Sequence, residues 1–108
     1  LEWAVNIGKM MQQARKMQES MKALQLELEQ MEVTGEAGGG MVKVTMNGQK
    51  QARQVVIEDK LWDEQDKALI EDLVAAAFNQ AVEKAEFIAK QEQEKLMSGL
   101  PLPPGFSL

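Results

Sequence analysis

An α+β subunit, ordered helix, three-stranded antiparallel meander, helix, follows from three features of this 108-residue chain. A heptad of apolar residues runs through its first third, and an alternating β-branched stretch with a Gly-rich turn fills its middle. A broad apolar stripe at helical spacing occupies most of the remainder. The length suits a single domain spanning 1–108.

The heptad is carried by Met10, Ala14, Met17, Met21, Leu24, Leu28 and Met31, which recur at alternating steps of four and three with Gln, Glu, Lys and Arg between them. This spacing predicts a helix over about 8–32, roughly 37 Å long at ~1.5 Å per residue. Trp3 lies outside that stripe on this reading. Strands are expected over about 33–58. Met41 to Met46 alternates strictly, placing Val42, Val44 and Met46 on one face and Lys43 and Thr45 on the other. Asn47-Gly48 is a strong hairpin signal, since a two-residue type I′ turn needs positive φ at both central positions. With that turn Thr45 faces Lys50 and Lys43 faces Ala52, so Lys43, Thr45, Lys50 and Gln54 share the wet face. Val42, Val44, Met46, Val55 and Ile57 then line the inner one.

Asp63 suits the N-cap of a second long helix, with Glu64 and Asp66 matched to the positive helix terminus. Leu69, Ile70, Leu73, Val74, Ala77, Phe78, Ala81, Val82, Ala85, Ile88 and Ala89 form its apolar stripe, with Leu73, Ala77 and Phe78 expected to cover Val42, Val44, Val55 and Ile57. Trp62 is expected to anchor the preceding turn. The helix is predicted over about 63–97, roughly 52 Å. Ser98-Gly99 ends it, and Pro101, Pro103 and Pro104 define a Pro-rich tail over 99–108.

A compact domain of this length has a radius of gyration of only ~13 Å, so neither helix fits inside it end to end. Both must project, and the apolar positions on the projecting parts need a second surface. A homodimer with an isologous interface supplies one, with Met10, Met17, Met21, Leu24 and Leu28 as the seam.

The chain has no cysteine and no histidine, which removes thiolate nucleophiles, imidazole bases, disulfides and the usual zinc ligands. Ser20, Ser98 and Ser107 have no base of the usual kind to activate them. Gly35 and Gly38-Gly39-Gly40 precede a strand and lack a following Gly-Lys-Ser/Thr, so they read as a turn rather than a phosphate loop. Asp59, Asp63, Glu64 and Asp66 lack the spacing of a calcium loop. The expectation is a protein that is not an enzyme and uses no cofactor or metal. No apolar run approaches the ~20 residues of a membrane span, no signal segment opens the sequence, and the cytoplasm is the expected compartment.

The formal charge is −5, from 12 basic and 17 acidic side chains, but it is unevenly placed. Between Gly8 and Lys22, Lys9, Arg15, Lys16 and Lys22 stand against Glu19 alone, whereas Asp59 to Ser98 carries five lysines against ten acids. The four basic residues are either a solvated helix face or a phosphate-contacting one. On the sheet, Lys43, Lys50 and Arg53 are weaker candidates for the same role. The Met-rich seam has the chemistry of an adaptable peptide groove but reads first as a core or dimer seam. The Pro-rich tail is equally a short polyproline ligand or a segment that lays Leu102 and Phe106 over an apolar patch of its own dimer.

The segment Glu32-Val33-Thr34-Gly35-Glu36-Ala37-Gly38-Gly39-Gly40-Met41-Val42-Lys43-Val44-Thr45-Met46-Asn47-Gly48 closely resembles the central signature of the YbaB/EbfC family of bacterial nucleoid-associated proteins. Met17-Gln18-Glu19, the run from Glu71 to Ala81 and the tail from Leu100 to Phe106 resemble it too, so the likeness spans about Met10 to Phe106. The resemblance implies an α-β-β-β-α subunit, a homodimer with projecting helices, and binding of double-stranded DNA with little sequence preference in the cytoplasm and nucleoid. An influence on nucleoid organisation and gene expression goes with that reading. The chain departs from the family in its opening Leu1 to Ile7, in Glu58-Asp59-Lys60-Leu61-Trp62 where an Asp-Pro-Ser turn is common, and at Gln12 and Ser20, often Lys in relatives. The DNA-contacting residues named above therefore follow from charge alone. The alternative is a dimeric protein-interaction module acting with recombination or replication proteins, a class that the net charge of −5 favours.

Overall fold

A computed structural model describes residues 2–99. The order is α1 (Glu2–Gln30), β1 (Glu32–Ala37), β2 (Val42–Asn47), β3 (Ala52–Ile57), a short α2 (Asp59–Asp63) and α3 (Lys67–Ser98). The three strands form one antiparallel sheet in the order β1-β2-β3. This is the α-β-β-β-α architecture expected. Of the Pro-rich tail only Gly99, the C-cap of α3, is among the described residues, and 100–108 lie outside them.

The core is built where α3 crosses the sheet. Val33, Val42, Val44 and Met46 from the strands meet Ile70, Ala77, Ala81 and Ala85 of α3, with Leu61 of α2 fully buried beside them. Small residues on α3 bring its backbone against β1. A methyl group added to Gly35 would overlap the Ala77 carbonyl and the Ala81 amide, so glycine is the residue that permits this contact. Two α3 side chains also close the outer edge of β1: Gln80 Oε1 accepts from the Glu36 amide at 2.7 Å, and Lys84 Nζ donates to the Thr34 carbonyl at 2.7 Å.

Because α3 is held over β1 and β2, β3 is left beside it. Val42 and Val44 are buried as expected, but Val55 is 48% and Phe78 39% exposed. Their expected packing against each other's layer does not occur among the described residues. The glycine contact sets the helix too far toward β1 for Phe78 to cover Val55.

The β2–β3 connection also differs from the expected two-residue turn. Gly48 does not have positive φ, and the left-handed residue is Lys50, at φ 65°. The Lys50 amide donates to the Asn47 carbonyl at 3.1 Å and the Asn47 amide to the Gln51 carbonyl at 3.0 Å, closing a three-residue loop with a bulge. The register follows: Thr45 faces Gln54 and Lys43 faces Val56, instead of Lys50 and Ala52. Buried Asn47 organises the loop, its Oδ1 accepting from the Gln49 and Gln51 amides and its Nδ2 donating to Gln51 Oε1.

Three boundaries shift. Helix α1 begins at Glu2 rather than near Gly8 and ends at Gln30, because Met31 leads into β1. The expected second helix is two helices, broken at Gln65, whose φ is 54°. The N-cap of α3 is Asp66, which accepts from the Leu69 amide at 3.0 Å, so Asp63 lies in α2 instead. Leu61 anchors the turn, while Trp62 is exposed.

The helices do project. The Cα radius of gyration is 20.9 Å and the extents are 76 × 23 × 18 Å. Leu24 and Leu28 of α1 are buried within their own chain, and the α1 residues Ser20, Ala23, Leu24 and Glu27 share a groove with Glu92, Lys95 and Leu96 of α3. Every described α1 residue from Glu2 to Lys16 is exposed. This segment is an arm roughly 22 Å long.

Candidate nucleic-acid interface

Nucleic acid is held mainly through phosphates, so the question is which basic side chains are free and where they converge. Lys9, Arg15, Lys16 and Lys22 are all exposed on α1, and among the described residues none forms an ion pair. At about 100° per residue, Lys9 and Lys16 fall on one line along the helix and Arg15 and Lys22 on a second. Both lines lie on the side away from Met10, Met17 and Met21. Glu19 falls between them, Glu2 lies on the first line and Glu29 on the second, so the four cations share that side of α1 with acids. The arm thus separates an apolar edge from a basic back.

The sheet candidates are differently placed. Lys43 is exposed on the outer sheet face, across from Val56. Lys50 Nζ pairs with Glu86 of α3 at 3.3 Å. Arg53 occupies the bulge and donates from Nη2 to the Glu29 carbonyl at 3.2 Å. That bond places a cation at the C-terminus of α1, whose own last turn has no basic residue. Two of the three sheet cations therefore serve the fold, and α1 and the sheet do not share one continuous cluster.

Of the expected dimer seam, Met10 is exposed, Met17 and Met21 are half-buried, and Leu24 and Leu28 are enclosed. Exposed apolar residues flanking the uncovered β3 were missed from the sequence: Val55 on the α3 side, with Phe78, and Val56 on the outer face, across from Lys43. Their signal was present in the Val55-Val56 pair, which gives a strand apolar on both faces.

A family model for the YbaB/EbfC DNA-binding family matches residues 4–100, nearly the whole chain. The chain belongs to that family. The family binds DNA and is associated with the bacterial nucleoid. As a family member the chain also shares its fold with a solved structure, that of the uncharacterized protein HP0035 from Helicobacter pylori. The TM-score is 0.70 at 24% identity, over 78% of this chain and 88% of that one. No helix among the described residues is long and apolar enough to cross a membrane.

Proposed function

We propose that this protein is a nucleoid-associated, double-stranded DNA-binding homodimer that grips phosphates through the basic back of α1 with little sequence preference. The observation that carries this reading is the set of four cations on α1 of a DNA-binding family member, Lys9, Arg15, Lys16 and Lys22, none in an ion pair among the described residues. The acids of α3 stand on a separate element, so a net charge of −5 does not prevent a local attraction. Lysine and arginine on an exposed helix back contact the sugar-phosphate chain, which positions the protein without reading bases. Lys43 adds a secondary contact. Action in the nucleoid, and effects on its organisation and on gene expression, follow from coating DNA in this way.

Dimerisation is supported by the uncovered β3. Among the described residues no side chain bonds the backbone of its outer edge, in contrast to β1, and Val55, Val56 and Phe78 border it. A second copy presenting the same edge across a two-fold axis pairs it and covers Val55 and Phe78 on the α3 side, with Val56 flanking the junction on the outer face.

The test is a gel-shift titration over unrelated duplexes at several salt concentrations. Similar affinity for every duplex and a steep salt dependence are expected. Absence of binding at low salt would reject the reading in favour of a module that binds protein partners of recombination or replication.

A further inference from the structure

The start of α1 at Glu2 changes the meaning of its first residues. Trp3 and Ile7 now lie on the helix, and with Met10, Ala14 and Met17 they continue the four-three spacing to the tip of the arm. Trp3 is 68%, Ile7 47% and Met10 66% exposed, so this stripe has no partner among the described residues. An isolated helix of about 15 residues is marginal in water, and Gly8, with no atom within 4 Å of an added Cβ, weakens this one further. The arm needs a surface to pack on.

The flanks of the stripe indicate what that surface is. On one side stand Ala4, Met11 and Gln18, and on the other Asn6, Gln13 and Ser20, with no charge among them. Two identical arms therefore meet without like-charge repulsion, while Lys9, Arg15 and Lys16 stay on the outer backs. An antiparallel pairing centred between Ile7 and Met10 also matches sizes. Trp3 falls opposite Ala14 and Ile7 opposite Met10, so the largest side chain meets the smallest.

We infer that the arm is a second self-association surface, through which an antiparallel pair of α1 segments joins one dimer to another. The inference rests on the homodimer reading above, with β3 as the first interface. The two contacts cannot share an axis. A two-fold relating antiparallel arms crosses α1 at right angles between Ile7 and Met10. That point is about 30 Å of helix away from Leu28, whose carbonyl accepts from the Gly48 amide beside the sheet. A two-fold through β3 passes near the sheet instead. Each chain thus carries two isologous faces on different axes, and such a subunit builds assemblies larger than a dimer. Linked dimers with basic backs outward hold more than one stretch of duplex.

The experiment uses the full chain in analytical ultracentrifugation over a range of concentrations, beside an Ile7→Glu variant, with helix content followed by circular dichroism. Wild type is expected to associate beyond the dimer, and Ile7→Glu to stop at the dimer, its further association weakened at least about tenfold. A wild type that stays dimeric at every concentration overturns the inference and leaves the dimer reading standing. An Ile7→Glu monomer overturns it as well, because the arm is then part of the first interface. A monomeric wild type rejects both. Since the natural chain has no cysteine, copies with Ile7→Cys mixed with copies with Met10→Cys give a readout that does not depend on folding of the charged variant. Mixed disulfides should outnumber those between identical variants, and the reverse outcome overturns the antiparallel pairing.

Discussion

The Gly48 amide donates to the Leu28 carbonyl at 2.8 Å, joining the β2–β3 loop to the last turn of α1. A side chain at this position would have its Cβ 2.9 Å from that carbonyl oxygen and 3.0 Å from Leu28 Cδ2. Glycine is required here for close approach, with its φ in the ordinary negative region. Gln49 strengthens the same junction, its Nε2 donating to the Gln25 carbonyl at 2.8 Å. The loop thereby sets the direction in which α1 leaves the sheet.

Gly48→Ala is accordingly expected to destabilise the subunit by about 1–3 kcal/mol through overpacking against Leu28. Urea unfolding monitored by circular dichroism measures it. An unchanged midpoint would mean that α1 is not anchored at this loop.

Gly35→Ala should cost more, about 3 kcal/mol or above, because the added methyl meets the backbone of α3 at Ala77 and Ala81 rather than a movable side chain. Thermal unfolding of this variant beside Gly39→Ala separates space from backbone conformation. Gly39 has φ 69° with open space around it, so only conformational strain acts there, and its loss should be the smaller.

Replacing Arg15 and Lys16 by Gln preserves helix propensity while removing two free charges from each arm. Affinity for unrelated duplexes should fall for all alike, and the salt slope should shrink by about 0.9 for each phosphate that is no longer neutralised. Lys50→Gln, which breaks only the exposed pair with Glu86, should change neither by much. Equal effects from both variants would move the DNA surface from the arm to the sheet.

Val55→Lys places a charge on the uncovered face of β3 and should raise the dimer dissociation constant at least about tenfold without unfolding the subunit, since Val55 is already 48% exposed in the single chain. Sedimentation equilibrium reads the constant, and circular dichroism checks the fold. A dimer of unchanged strength would exclude β3 from the interface.

Much of the fold was legible because its signals are local. The alternation of Met41 to Met46 and the stripe from Ile70 to Ile88 specify strand and helix by period alone. The Asn47-Gly48 pair marks the place of a turn but not its kind: Asn47 caps the loop through its side chain, and Lys50 takes the left-handed position. For the site, the residue types were legible and their availability was not. Lys50 and Arg53 look as free as Lys9 in the sequence. Only folding brings Lys50 to Glu86, from an element 36 residues away, and Arg53 to the end of α1.

The sequence by itself determined the order of elements, the heptad of α1, the family and the uneven placement of charge, all of which depend on neighbours within a few turns. Tertiary structure decided how far α3 sits toward β1, through Gly35, Ala77 and Ala81, and hence that Val55 and Phe78 stay uncovered. It also decided that Leu24 and Leu28 turn inward while Trp3, Ile7 and Met10, on the same stripe, do not. The physical reason is that one apolar stripe carries no mark of where its own chain ceases to cover it. That limit is set by the end of α3 against α1, an approach of segments about 70 residues apart.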